Sequence, residues 1–532
     1  MSLVINGGHF DYVVVGAGSA GCVLAGRLSE DPDVRVLVLE AGGSDDLPDV
    51  QMPAVFHRLF KTRHDWDYST GPEPQLDGRA LYWPQGKLVG GSSSMNAMLY
   101  IRGNRLDYDS WRDQFGCAGW GYDDLLPYFI RSEDFQDGPD EFHGVGGPLR
   151  VENLRAPHQV SEAFIEAAVS TGLVHNLDFN GAQQEGAGMF QVTQKSGRRW
   201  SAADAFLHPA RRRANLTVRT DARVEQLLIS DGTATGVRYR QGGVVVDAHA
   251  ECEVLLAAGA VGSPRILMLS GIGPAVNLHA VGVTALHDSP DIGGRLQDHP
   301  VLPLQWYTPG LADVYSEDNT ENRHRWSSGQ MGPLTSSVAE AGAFIRTDLA
   351  KIAPDLQFQM MPALMRRDRR SDAALSGMSM GAVVADVASR GRVSLVSADP
   401  DRQPLISGCY LSEQSDRDTM LASFEFAHEF ASAAALRPYL GDMCLPGADS
   451  AGTPGREAYL RKNVQTNYHP TSTVAMGPSE DDPLDLELRV RGIDRLRVVD
   501  ASAMPRIPRG NTNAPTIALA ERAVDLIRRS GV

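Results

Sequence analysis

Two short stretches near the C-terminal end carry residues able to handle a proton. Residues 467–477 read NYHPTSTVAMG, with His469 between Tyr468 and Pro470, and forty-two positions beyond that histidine Asn511 begins the run NTNAPT, which also holds Asn513. Histidine has an ordinary pKa of about 6.5, so at neutral pH it offers a lone pair to a proton. An asparagine amide donates an N–H to a developing oxyanion without competing for that proton. If the two met at one hydroxyl they could take its proton and hold the oxygen left behind, as an oxidation requires; the same residues are equally at home in ordinary loops, and the rest of the chain decides between the two. The electrons need a sink that side chains do not supply.

The N-terminal end offers a place for that sink. Residues 11–42 read DYVVVGAGSAGCVLAGRLSEDPDVRVLVLEAG. DYVVV is a short β-branched run and predicts a buried strand. Gly16, Gly18 and Gly21 follow as GxGxxG, then an amphipathic helix in CVLAGRLSE, a break at Asp31-Pro32, and a second strand in RVLVLE. Glycines at these positions allow a tight turn, close approach of backbone to a pyrophosphate, and close helix–strand packing. The helix N-terminus offers unpaired N–H groups to the phosphates. Glu40 closes the second strand nineteen residues after Gly21, where a carboxylate accepts hydrogen bonds from an adenosine ribose and disfavours a 2′-phosphate. The fingerprint serves NAD and FAD alike.

Composition narrows the field. A chain of 532 residues predicts two or three domains, and 42% apolar with 22% charged residues is ordinary for a globular protein. A net charge of −16 argues against nucleic acid or anionic lipid as partners. The basic clusters RRRA (211–214) and RRDRR (366–370) read as solvated faces. No apolar run is long enough to span a bilayer, and MSLVINGGHF has neither the basic head nor the apolar stretch of a signal peptide, so a cytoplasmic protein is expected. Five widely spaced cysteines without a CxxC predict reduced thiols and no metal site.

Further motifs run along the rest of the chain: YWPQGKLVGGSSSMNAM at 82–98, GAVGSPRILMLSGIGP from 259, GGRLQDH at 293–299, NYHPTSTVAMG, and VVDASAMPRIPRGNTNAPT. Together with the N-terminal fingerprint, these resemble the glucose–methanol–choline (GMC) oxidoreductases, within which choline-dehydrogenase-like alcohol dehydrogenases and oxidases are most similar. The resemblance implies FAD as the cofactor. The small residues of GGSSSMN suit close approach to a phosphate or a flat ring. By resemblance Gly90, Gly91 and Ser92 lie by the pyrophosphate, and Asn96, Ala97 and Met98 by the flavin. Some members carry a His here that bonds covalently to FAD; this chain has Met95, which implies non-covalent FAD. Val224 matches the position packed on the adenine, and Ser19, Ala20, Ala41, Trp66, Asp500, Ala501 and Asn513 complete the expected cofactor contacts.

The helix expected after Asn513 shows apolar spacing at Ile517, Ala520, Val524 and Ile527, with Asn513 as its N-cap and Pro515 in the first turn. By resemblance its N-terminus points at the flavin edge where negative charge gathers on reduction. His469 matches the family's catalytic histidine and Asn511 the second position, which is His or Asn in different members; His469 is therefore expected to be the base and Asn511 the alkoxide donor. His299 is expected near the domain junction, without a catalytic part. Ala475 stands where many relatives carry a basic residue, and Asn467 where relatives tune access to the flavin.

The expected fold class is α/β (α+β overall), with a Rossmann-type FAD-binding domain from 1–157, 217–300 and 471–532. A substrate domain on an antiparallel sheet is expected from 158–216 and 301–470. GRVSLVSAD (391–399) reads as part of that sheet, EAYLRKNV (457–464) as a helix, and DVYSEDNTENRHRWSSGQ (313–330) as a loop or lid. The substrate wall is expected in VAEAGAF (338–344) and LQFQMMPALM (356–365), with Glu340 and Phe358 facing the substrate. The expected reaction is oxidation of a primary aliphatic or aromatic alcohol, followed by electron transfer to oxygen, a quinone or another acceptor, in a protein that could be oligomeric. A lyase of hydroxynitrile type and a flavin photodecarboxylase are the alternatives on the same scaffold.

Overall fold

The computed structural model describes residues 4–364, 376–447 and 452–530. RRDRR and Met365 lie outside the described residues; in RRRA, Arg211 and Arg212 are exposed. Two seven-stranded sheets organise the chain. The first runs in the order 216–219, 36–39, 4–15, 244–256, 233–241, 222–230, with 496–498 also pairing on 244–256. Its strands 216–219, 36–39, 4–15, 244–256 and 496–498 are parallel where they meet, and 222–230 and 233–241 add an antiparallel flap. Val13, Val14, Val36, Leu37, Val38, Leu255 and Leu256 are fully buried, as continuous apolar runs covered on both faces should be. The helices Ser19–Leu28, Gly259–Leu269 and Asn513–Arg529 pack against this sheet. This is the Rossmann-type α/β unit that the sequence predicts.

Gly21 shows why the fingerprint needs glycine. A Cβ there would lie 1.8 Å from the carbonyl oxygen of Gly16, so no side chain fits between the first strand and the first helix. That helix is tied to the last one by Arg27, whose Nη2 lies 2.8 Å from the buried Glu521 carboxylate.

The second sheet is antiparallel, in the order 443–445, 300–307, 377–384, 356–361, 341–345, 186–189, with 465–466 pairing on 300–307. Leu356, Phe358 and Met360 face a second core, where Phe358 meets Phe430 of the helix Gln414–Ser432. Gln357, Gln359 and Met361 alternate to the opposite face.

Three expectations change. The ribbon 392–394 with 405–407 is antiparallel, but it stands apart from the second sheet, and Val393 and Ile406 are buried in the first core. The stretch 313–330 contains a helix, Thr320–Gly329, capped by Asn319, whose side chain accepts from the Asn322 N–H. It was hidden in the sequence because few of its residues are buried, Trp326 chief among them. Asn513 is the first helical residue and Thr512 the N-cap; the Asn513 side-chain oxygen instead accepts from Ser19 Oγ at 2.7 Å. EAYLRKN (457–463) falls in a helix, Gly452–Asn463, and Val464 follows it. Among the described residues no helix is long and apolar enough to cross a membrane.

Candidate active site

A cavity of about 1160 Å³ lies where the two sheets meet. Gly16, Gly18, Ser19, Ala20, Glu40, Ala41, Trp66 and Val224 line its part over the first sheet. Gly91, Ser92, Asn96, Ala97, Met98, Asp500, Ala501, Asn511 and Asn513 continue the wall, and His469 closes on it. Gly21 and Gly90 are set behind the wall. Gly90 shapes the turn with φ +84°, and a Cβ there would strike Ser94 Oγ at 2.0 Å.

Glu40 is buried and accepts from the N–H groups of Ala17 at 2.9 Å and Gly42 at 2.8 Å. Burial nevertheless pushes its carboxyl up to about 7. Asp500 spends its oxygens on Gly259 N, Ser263 Oγ, Ser502 N and Ser502 Oγ, so it clamps two loops around the cavity.

The region around His469 is zipped to the GGRLQDH motif. Pro300 pairs with Thr466 and Val301 with Gln465, Asn467 N donates to His299 O at 2.8 Å, and Thr471 pairs with Gln297. Asp298 receives the His469 N–H at 2.7 Å, and its other oxygen takes the hydroxyls of Tyr410 and Thr466. This brings His299 Nδ1 to 3.0 Å from His469 Nδ1, with the rings near perpendicular at 89°. His299, expected to take no catalytic part, reaches the site because its motif pairs with the strand before His469.

The proton positions follow from this chain of contacts. His299 Nε2 faces the Ala385 carbonyl at 3.3 Å, which only accepts, so Nε2 carries the proton. Burial holds His299 down to about 4, so it is neutral and its Nδ1 accepts. Against the nearer of its two partners, His299 at 3.0 Å rather than the Asn467 amide nitrogen at 3.4 Å, His469 Nδ1 donates, which leaves the lone pair on His469 Nε2, 3.2 Å from Asn511 Nδ2. Burial, and next the neighbouring His299, hold His469 well below the usual histidine range.

Several residues here sit in strained backbone. Met98 (φ +61°), Tyr468 (φ +67°) and Val338 (φ +70°) are non-glycine residues in the left-handed region, and all three line the cavity. Such a conformation costs on the order of 1–3 kcal/mol and persists only where surroundings enforce it.

The expected substrate residues are corrected. Glu340 is 1% exposed and accepts from His158 N, Ser161 Oγ and Ser336 Oγ; Phe358 is 0% exposed in the second core. Strand alternation turns Phe358 away, and the same stretches contribute Val338, Ala339, Gln359, Met361 and Leu364 to the wall instead. Phe56, Phe60 and Tyr315 complete this outer part and were not foreseen. Asp45, Asp204 and His208 place ligand-type atoms within 4.8 Å of one another, and His208 Nε2 pairs with Asp45 at 2.8 Å.

A dinucleotide fits these residues. The glycine backbone of Gly16, Gly18 and Gly91 leaves room for phosphates, Glu40 stands at one end, and at the other Asn511 Oδ1 is buried without a protein partner. Comparison with known proteins agrees. The chain matches the GMC oxidoreductase family models, N-terminal over residues 10–301 and C-terminal over 387–520. It is 40% identical over 528 residues to an oxygen-dependent choline dehydrogenase of Photobacterium profundum (97% of this chain, 93% of that one). It is also 40% identical over 529 residues to an alcohol dehydrogenase [acceptor] of Pseudomonas putida (98% and 96%). The solved pyridoxine 4-oxidase from Mesorbium loti superimposes with a TM-score of 0.89 at 34% identity, over 97% of this chain and 98% of that one. The chain belongs to the GMC oxidoreductase family. It is an FAD-dependent oxidoreductase.

Proposed function

We propose that this enzyme oxidises a primary alcohol, aliphatic or aromatic, to the aldehyde, with His469 as base and Asn511 as donor to the alkoxide. The observation that carries the reading is the lone pair on His469 Nε2, fixed by His299 and set beside Asn511 Nδ2 on the cavity wall. Bound FAD supplies the hydride acceptor at flavin N5. His469 takes the hydroxyl proton on Nε2, and Asn511 offers an N–H to the oxygen that loses it. The helix beginning at Asn513 presents its positive end to the cavity, which favours negative charge there.

Phe56, Phe60, Tyr315, Val338, Met361 and Leu364 give the outer wall an apolar stretch beside the polar His57, Arg58, Asp313 and Asp318, and methionine adapts to ligands of different shape, which supports an alcohol with an apolar part. Similarity to proteins named choline and alcohol dehydrogenases supports the reaction class. Met95 in the position that can carry a covalent link supports FAD held without one. We assign 1–157, 217–300 and 471–532 to FAD and 158–216 and 301–470 to substrate, with the 391–407 ribbon moved to the FAD side because its residues Val393 and Ile406 pack there. Electrons then pass to oxygen, a quinone or another acceptor. The test is the visible spectrum of the protein mixed anaerobically in the dark with a panel of alcohols: bleaching by apolar primary alcohols is expected, and a spectrum unmoved by any alcohol would refute the reading.

A further inference from the structure

A charge with no counter-charge sits behind the wall that carries Asn96. Arg199 is 3% exposed. Its Nε donates to Val50 O at 2.8 Å, and its Nη1 donates to Ser93 O at 3.1 Å and to Asn96 Oδ1 at 2.7 Å. Its Nη2 is buried with no partner. Among the described residues no carboxylate lies within 4.0 Å of this guanidinium, although Asp204 acts on it from farther away. The other large, fully buried arginines differ: Arg102 pairs with Glu133 at 2.9 Å and Arg497 with Glu253 at 2.7 Å. Taking an unpaired cation out of water is costly, and a protein ordinarily neutralises it.

The neighbouring amide shows where this charge acts. Asn96 Oδ1 accepts from Arg199 Nη1 and from the Met98 N–H at 3.0 Å. With its oxygen held by two donors, Asn96 has its Nδ2 hydrogens left to offer, and it lines the cavity. Both the charge behind the wall and the amide on it therefore favour negative charge inside. A flavin gains negative charge on reduction, and a preorganised cation in low dielectric stabilises that charge more than water would.

We propose that Arg199 is a positioning residue for the flavin, orienting Asn96 and lending an unneutralised buried charge that raises the cofactor's reduction potential. The inference rests on the cavity holding FAD. It predicts that potential and anion affinity at the flavin move together when the charge is removed, whereas a packing role would move neither.

The experiment compares wild type, Arg199→Met, Arg199→Gln and Arg199→Lys as FAD-loaded proteins, by dye-coupled potentiometry and by sulfite titration of the flavin spectrum. Loss of the charge in Arg199→Met is expected to lower the reduced-to-oxidised ratio at fixed potential by about tenfold or more, about 30 mV for a two-electron couple, and to weaken sulfite binding by a similar factor. Arg199→Lys keeps the charge and is expected to stay within about threefold of wild type on both measures. Arg199→Gln, which still donates an N–H without charge, should behave as Arg199→Met. An unchanged potential in either neutral variant overturns the proposal. So does weakened FAD affinity at unchanged potential, which would assign the charge to the pyrophosphate. Loss of FAD from both neutral variants while Arg199→Lys keeps it would make the residue a folding element and also overturn it. Absence of flavin bands from the wild-type protein would instead remove the underlying reading of the cavity.

Discussion

His299 and His469 face each other through their Nδ1 atoms at 3.0 Å, and the Ala385 carbonyl behind His299 fixes which of the two rings donates. Replacing His299 removes the acceptor that keeps the His469 proton on Nδ1. His299→Ala should retain FAD yet slow flavin bleaching by alcohol about tenfold or more, because the base then populates the wrong tautomer. Stopped-flow absorbance of the loaded variant checks this; a rate equal to wild type would show that His299 does not orient the base.

The two histidines also set a pH response. Both have native pKa values below 6.5, His299 down to about 4. Between pH 6.5 and 4 the unfolded chain therefore binds protons at these positions that the native protein does not. Their contribution to stability is complete above about pH 6.5 and is lost as pH falls through that window. Kinetically, His469 stays an available base below its usual range. The rate of flavin reduction should hold steady from pH 8 to 6.5 and fall only in more acid solution; an acid limb centred at or above pH 6.5 would contradict the buried, neutral state of His469.

Much of this was legible in the sequence. The GxGxxG turn with its strands and Glu40 follows from local rules, because glycine requirements and buried strands leave period and spacing signals. Motif resemblance pairs His469 with Asn511, and the structure sets the two side chains 3.2 Å apart. Glu340 and Phe358 were misread because face selection on a buried strand is decided by sheet pairing, and both faces of 356–361 carry residues that can be buried. The His299 contact was missed because it depends on the pairing of 300–301 with 465–466, a long-range register that no local pattern announces. The burial of Arg199 is a tertiary fact that no local pattern announces.

Glu340 is a structural carboxylate, raised by burial and held by Ser161, Ser336 and the His158 N–H. Glu340→Ala leaves those donors unpaired and should cost about 3 kcal/mol, since a lost hydrogen bond to a charged group costs about 1.5–3 kcal/mol. Denaturant unfolding measures the loss, and KM for alcohol in the folded variant should stay near wild type. A large KM change at unchanged stability would restore Glu340 to the substrate.

Met95 lines the cavity and has no ring nitrogen of the kind through which a histidine bonds to the flavin. Acid precipitation should leave the yellow colour in the supernatant. A yellow pellet of denatured protein would show a covalent attachment elsewhere.

In the proposed reaction His469 removes the hydroxyl proton while the cofactor takes the hydride. The most direct measurement is the anaerobic rate of flavin bleaching by a good alcohol substrate in FAD-loaded His469→Ala and His469→Gln, set against wild type. A loss of about 10²–10⁴-fold with FAD still bound is the predicted result, the usual contribution of a positioned general base. Bleaching at the wild-type rate in either variant would show that His469 is not the base.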